Sequence, residues 1–207
     1  MRRRLSAASP ECGENPLHAA ARALIALQDL QLPTHASLGN ALLVPTDIVS
    51  TPYPSISMIP TATTIRFDRR TLPGETSQDV LSEIEVQLRA AGLERFTLSV
   101  TGDKVRTFTG CCARPFRWLP AWQIADDHAL VSAAGRAVQS VGRVASLGTW
   151  RFCTNGSESA GRRGIPTIGL GPGNEEDAHT IDESIALDQL EGARDIYRAL
   201  ALELAGA

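Results

Sequence analysis

Apolar positions in the first half of the chain recur twice at helical spacing. The first stripe follows Asn15, which favours the position before a helix, and Pro16, which favours the first helical turn. The second follows Thr76 and Asp79, which predict a capping box, and it ends at Gly92. These patterns predict two amphipathic helices. Their apolar stripes are Leu17, Ala20, Ala21, Leu24 and Leu27 in the first and Val80, Ile84 and Leu88 in the second.

Runs rich in β-branched residues predict three strands around these helices. Two runs lie between the helices and one follows the second helix: NALLVPTDIV, SMIPTATTIRFDRR and RFTLSV. The order helix, strand, strand, helix, strand is that of a ferredoxin-like α+β layer that lacks its first strand.

The pattern changes after residues 101–127, which carry prolines and tryptophans and which we interpret as the crossing between two domains. From residue 128, a helix, the apolar run SLGTWRFCT, a glycine-rich loop, the run IPTIGLG and a last helix follow in turn. Strands alternating with helices predict an α/β domain with parallel strands. Two strands are too few for a parallel sheet covered on both faces, so this half is also expected to be a portion of a domain.

Charge and composition narrow the class of protein. The 207 residues include 43% hydrophobic ones and carry a net charge of −3, which indicates a globular protein and argues against a nucleic-acid partner. No apolar run is long enough to cross a membrane, and the basic start is not followed by the apolar core of a signal peptide. We therefore expect a cytoplasmic protein. The four cysteines have no metal-site spacing, which predicts buried or idle thiols.

Histidine chemistry offers one candidate. His179 closes a glycine-rich turn among carboxylates, as a metal ligand often does, but an acidic loop capping the positive end of the last helix is the more ordinary interpretation. His128 follows two aspartates at a helix start and is a weak metal candidate. No H-x-D or H-E-x-x-H pair occurs. The residues alone therefore assemble no complete active site, and no catalytic residue is assigned.

Several motifs together resemble a known family. They are PECGENPLHAA, SMIP, IRFDRRTLPGET and GIPTIGLGPGNEEDAHTIDE, and they resemble, in family order, the zinc-dependent aminoacylase, acetylornithine deacetylase and succinyl-diaminopimelate desuccinylase metallopeptidases. DRRTLPGET, PAWQIADDH and FCTNG are most similar to the branch called selenium-metabolism hydrolases.

The resemblance implies two domains, with a lid or dimerisation domain at 1–105 and the C-terminal portion of a zinc-peptidase-like α/β catalytic domain at 106–207. The family holds two zinc ions, and most of its ligands and its general base lie upstream of the lid. The resemblance thus implies that this chain starts inside the lid, with His179 as its one zinc ligand and an incomplete metal site. It also implies homodimers that pair through the lid.

Three further positions of this chain can be compared with positions of the family; two depart from the family residue and one matches it. Ser6 lies where the family has a lid histidine, and Ser57 lies where it has an asparagine. Arg70 matches a family arginine whose planar guanidinium suits a substrate carboxylate, although an ion pair with Asp68 is equally expected.

Two functions follow from the resemblance. One is the C-terminal part of a zinc-dependent hydrolase of acyl-amino acids or small peptides, inactive as this chain alone. The other is a dimerising or binding remnant without catalysis, which Ser6 and Ser57 favour slightly. The metal-dependent function predicts ligands supplied from outside this sequence.

Overall fold

The computed structural model describes residues 15–102, 104–114, 116–150 and 152–206. The chain divides into two compact units, with the division between Trp118 and Leu119. The predicted family domains divide at 105/106, and that boundary stays a prediction. The predicted lack of a first lid strand concerns residues before Asn15, which lie outside the described residues, as do Ser6 and Cys12.

Two capped helices frame the first unit. Helix α1 spans Pro16–Gln28, and the Asn15 side chain accepts a hydrogen bond from the backbone N–H of Leu17. Helix α2 spans Ser77–Ala90 and begins with the predicted capping box, in which Thr76 and Asp79 satisfy each other's backbone N–H groups. Both predicted helix starts are confirmed.

A long hairpin lies between the two helices in the sequence. Strand β3, Leu42–Thr51, pairs antiparallel with β4, Ala62–Arg70. The register shifts between Pro45 and Asp47. A bulge is expected there because proline has no N–H to donate to the ladder. Two shorter hairpins complete the described sheets of this unit: β1 (Thr34–His35) with β2 (Gly39–Asn40), and β5 (Val105–Arg106) with β6 (Cys112–Ala113).

The core of the first unit is the apolar stripe of α2 packed against α1 and the hairpin. Val80, Ile84 and Leu88 are all buried, as predicted, and they cluster with Leu27 and Leu93. The Gln87 side chain donates a hydrogen bond to the Ala26 carbonyl at 2.9 Å, which links the two helices. The first stripe is only partly confirmed, because Ala20 and Leu27 are buried whereas Leu17 is exposed.

The predicted strand RFTLSV is wrong as a strand. Residues 95–100 keep the inside–outside alternation of a strand, and Phe96 and Leu98 pack on the core cluster, but the segment belongs to no sheet in the described part of the chain. The alternation records which side chains meet the core. A strand also needs a neighbouring strand to accept and donate its backbone hydrogen bonds.

The second unit is built on two packed helices, α3 (Ala129–Ser140) and α4 (Leu187–Ala205). Their contact is centred on Ala137, Val138 and Ile196, which are buried. The runs SLGTWRFCT and IPTIGLG were predicted to be parallel strands, and neither forms one in the described residues of this unit. The physical reason is the same: the described residues provide neither run with a strand partner. A short π-helix at Ser157–Arg162 and a 3₁₀ turn at Glu175–Asp177 lie between α3 and α4.

Two further expectations concern the cysteines and membrane-spanning segments. Cys111, Cys112 and Cys153 are exposed, so of the two expected alternatives, buried or idle thiols, burial does not apply to these three. None of the described helices is both long enough and apolar enough to cross a membrane.

Candidate metal and substrate site

His179 lies in a tight turn directly after the 3₁₀ turn of Glu175–Asp177. Its φ of 62° is in the left-handed region, which non-glycine residues seldom adopt although histidine is enriched among those that do. The backbone N–H of His179 donates to Glu183 Oε2 at 3.0 Å, and the Thr180 hydroxyl donates to the Asp177 carbonyl at 2.8 Å. These local hydrogen bonds hold a backbone conformation that presents the histidine at the surface.

Aromatic side chains contact the imidazole of His179. The Phe152 ring meets it edge to face, with centroids 6.2 Å apart and planes at 82°. Trp150 in turn stacks on Phe152, with centroids 5.7 Å apart and planes at 14°. The sequence reasoning missed both residues. Their spacing of two positions could have indicated them, because residues i and i+2 of an extended segment point to the same side.

The carboxylates around His179 do not assemble a metal site with it among the described residues. The residue before α4, Ala186, receives no side-chain capping bond, and Glu183 instead accepts the N–H of His179. The expected electrostatic role of this acidic loop at the positive end of α4 stays a prediction. Within the described ranges, no three His, Cys, Asp or Glu residues lie close enough together to hold a metal ion. An exposed imidazole fits zinc as a single ligand, but the described residues do not supply the three or four that a zinc ion takes.

His128 has a structural role that the sequence analysis did not assign. Its ring nitrogen Nδ1 accepts the backbone N–H of Leu130 at 3.0 Å and so caps the start of α3. A nitrogen engaged in this way is not presented to a metal ion.

Arg70 ends strand β4 and is engaged by a neighbour. Its Nε and Nη2 atoms both donate to Asp68 Oδ2, at 3.1 and 2.8 Å. This is the ion pair expected as the alternative. Both side chains are more than a third exposed, so the pair is open to solvent. The role of Arg70 in binding a substrate carboxylate stays a prediction.

Ser57 shares an unusual backbone with His179. It lies in the exposed loop between β3 and β4 with φ of 58°, and these two are the described non-glycine residues with positive φ. Asparagine tolerates the left-handed region better than serine does. Of the two, His179 occupies a position that the family resemblance assigns to the metal site. Strained backbone of this kind clusters at such sites.

Comparisons with known proteins show what this chain is similar to. Residues 5–95 match the family profile of the peptidase dimerisation domain. Aminopeptidase PepT from Bacillus cereus has a similar structure, with a TM-score of 0.61 and 18% identity over 97% of this chain and 48% of that one. The M20 family metallo-carboxypeptidase Sso-CP2 from Sulfolobus solfataricus gives a TM-score of 0.57 and 16% identity over 99% of this chain and 55% of that one. The fold of this chain is thus similar to that of about half of each of these two peptidases, and its first part matches the profile of a peptidase dimerisation domain.

Curated sequences give more specific relatives. The proteins named YgeY from Escherichia coli K12 and O157:H7, both described as uncharacterized, are each 31% identical over 197 residues. The alignments cover 94% of this chain and 48% of each relative. The chain therefore spans about half the length of the curated relatives it matches.

Proposed function

We propose that this chain forms the dimerisation domain and the C-terminal catalytic portion of a zinc-dependent hydrolase that cleaves amide bonds in acyl-amino acids or small peptides. We further propose that the chain does not hydrolyse these substrates by itself. The observation that carries the proposal is the similarity to two peptidase structures along nearly all of its length. The sequence motifs favour the selenium-metabolism hydrolase branch and a cytoplasmic location.

In this function His179 holds one zinc ion through its imidazole. Bound zinc lowers the pKa of water and polarises a substrate carbonyl. The remaining ligands and the general base come from residues outside those described, since a zinc site needs three or four ligands. Because these ligands and the base come from outside the described residues, the chain alone is expected to be inactive.

Arg70 would take the carboxylate of the substrate. Its guanidinium already donates two hydrogen bonds to one oxygen of Asp68, so a bound carboxylate has to share or replace that partner. Because the pair is exposed, its exchange costs little, on the order of 1 kcal/mol. A substrate carboxylate can therefore replace Asp68 without leaving a buried charge unpaired.

The same proposal includes a homodimer formed through α1 and β3. Strand β3 is exposed along most of its length, with Leu42, Val44 and Ile48 between 46% and 49% exposed. A ten-residue strand with apolar side chains on a sheet edge invites pairing with a second chain. The match to a peptidase dimerisation domain supports this choice of partner.

A non-catalytic dimerising remnant is the second candidate. The observation that favours it is Ser57, which has a left-handed backbone and lacks the amide side chain that the family resemblance expects there. Serine lacks the second donor of asparagine and cannot make the same contacts with a substrate.

Hydrolysis assays separate the two candidates. The chain alone should release amino acids from N-acyl amino acids no faster than buffer does. The chain joined behind the part of YgeY that it does not match should show zinc-dependent hydrolysis, lost with a chelator and in His179→Ala. Chelator-sensitive turnover by the isolated chain would refute the need for outside ligands. A correctly folded, zinc-loaded fusion without turnover would favour the remnant.

A further inference from the structure

A hairpin of the first unit carries two adjacent thiols. Strands β5 and β6 are joined by a turn in which Gly110 has a φ of 85° and its N–H donates to the Thr107 carbonyl at 2.9 Å. Three-residue hairpin loops often end in a left-handed residue of this kind, which favours glycine. Cys111 follows the turn, Cys112 begins β6, and both are exposed. The hairpin therefore presents a dithiol for which the proposed function has no use.

Arg106 lies beside one of these thiols. It is paired directly with Cys112 across the hairpin. Directly opposed residues of an antiparallel pair share one face, with Cβ atoms about 4.5–5.5 Å apart. Both side chains also approach the turn. The Cys112 thiol is 3.9 Å from the Gly110 carbonyl oxygen, and Arg106 Nη2 is 3.9 Å from the position that a Cβ on Gly110 would take. A guanidinium, which is always charged, thus lies in the surroundings of the Cys112 thiol.

The hairpin and the residues after it carry positive charge only. No aspartate or glutamate occurs at positions 104–125, whereas Lys104, Arg106, Arg114 and Arg117 all fall within that range. These four residues are exposed, and none of them forms an ion pair with a described residue. The whole chain has a net charge of −3, so the hairpin is a local basic region on an acidic protein. Such a region raises the local concentration of small anions.

The second thiol is poorly placed to displace a group attached to the first. Consecutive Cα atoms lie about 3.8 Å apart across a trans peptide bond, whereas disulfides usually join Cα atoms about 4.4–6.8 Å apart. Successive side chains of extended backbone also point to opposite faces. A group bound to Cys112 through a disulfide is therefore retained, because a bond between Cys111 and Cys112 does not readily form.

We propose that Cys112 is a thiolation site for anionic disulfides, represented by glutathione disulfide, and that Arg106 binds a carboxylate of the reagent. The Cys112 thiolate attacks one sulfur of the reagent and the S–S bond breaks. One half stays on Cys112 as a mixed disulfide, and the other half leaves as a thiolate that takes up the proton lost by Cys112. The reagent is reduced as the protein thiol is oxidised. The inference is independent of the proposed function, because it uses neither zinc nor His179.

The test compares three disulfides of different charge on the full chain: glutathione disulfide is anionic, hydroxyethyl disulfide is neutral and cystamine is cationic. Peptide mass spectrometry gives the rate of thiolation at each cysteine. Cys153 is the matched control within the same molecule, because it is also exposed but lies in the second unit. Cys111→Ser and Cys112→Ser separate the two adjacent thiols, and Arg106→Gln removes the neighbouring charge.

The measured quantity is the rate with glutathione disulfide divided by the rate with hydroxyethyl disulfide. At low salt this ratio should be about tenfold higher at Cys112 than at Cys153, the lower end of electrostatic steering. Cystamine should show the opposite preference, and about 1 M salt should remove both differences. Arg106→Gln should lower the ratio at Cys112 at least about threefold without changing the rate with the neutral reagent.

Three results would overturn the proposal. The first is an equal ratio at Cys112 and Cys153 at low salt. The second is a ratio at Cys112 that Arg106→Gln leaves unchanged. The third is thiolation by glutathione disulfide that persists at its full rate in Cys112→Ser and is lost in Cys111→Ser, which would place the site on the other thiol.

Discussion

At the scale of single residues, capping contacts are the features that the sequence predicts best. Thr76 and Asp79 are three positions apart, and their reciprocal bonds depend only on the backbone between them. The contact between Phe152 and His179 spans 27 positions, so its formation depends on the fold, which the sequence pattern did not provide. His128 was predicted at a helix start, but its own ring as the cap was not, because histidine is an uncommon residue there.

The capping box of α2 should make stability depend on pH. Hydrogen bonds from the Thr76 side chain and then its backbone lower the pKa of Asp79 from its ordinary 3.8. The contribution of a carboxyl group whose pKa is lowered by folding is present above its unfolded value and is lost as the pH falls through the folded one. The difference in thermal midpoint between wild type and Asp79→Ala should therefore shrink below about pH 4. A difference that stays constant from about pH 6 to pH 3 would contradict this account.

At the scale of elements, periodicity predicted what touches the core, and it failed where an element needs a partner. The stripe of α2 is buried at each predicted position. Residues 95–100 show the alternation of a strand without a ladder, because alternation is a property of one segment and pairing is a property of two. The runs at 146–154 and 165–171 failed for the same reason. Sequence reasoning therefore predicted the helices and the two strands that form the long hairpin, but not the remaining sheet structure.

Glu75 joins two elements of the first unit. Its carboxylate accepts the backbone N–H of Leu72 and pairs with the Arg69 side chain, which is only 9% exposed. Glu75→Ala leaves that guanidinium poorly solvated and without its carboxylate partner, so it should lower the free energy of unfolding by about 2–4 kcal/mol. Urea denaturation measures the effect.

The matched control for Glu75 is Asp68→Ala, which removes the exposed partner of Arg70. Exposed ion pairs contribute little, so this change should cost less than about 1 kcal/mol. If the two variants lose equal free energy of unfolding, burial of the Arg69–Glu75 pair does not explain its contribution to stability.

At the scale of the whole molecule, the family resemblance predicted more than the residue patterns could. The peptidase dimerisation domain and the peptidase-like fold were both expected from motifs spread over the chain, and both are confirmed. The set of metal ligands could not be derived, because the described residues place no cluster of ligands around His179. The roles of His179 and Arg70 stay predictions.

Dimerisation is testable on the exposed strand. Light scattering should give the wild type twice the 22.1 kDa mass of one chain. Replacing Val44 and Ile48 together with lysine puts charge on the edge strand and should raise the dimer dissociation constant by at least about tenfold. Val86→Lys adds one lysine charge at an exposed position of α2 and should leave the dimer mass unchanged. A monomeric wild type, or a loss of dimer in all the variants alike, would contradict pairing through β3.

Zinc content tests the central claim most directly, namely that this chain brings one ligand to a metal site completed from elsewhere. The purified chain, loaded with zinc and dialysed, should retain far less than one ion per chain, because a single imidazole gives weak binding. The residual affinity, measured by titration, should fall further in His179→Ala. One tightly held zinc ion per chain after dialysis would contradict the account, and so would an affinity that does not change when His179 is removed.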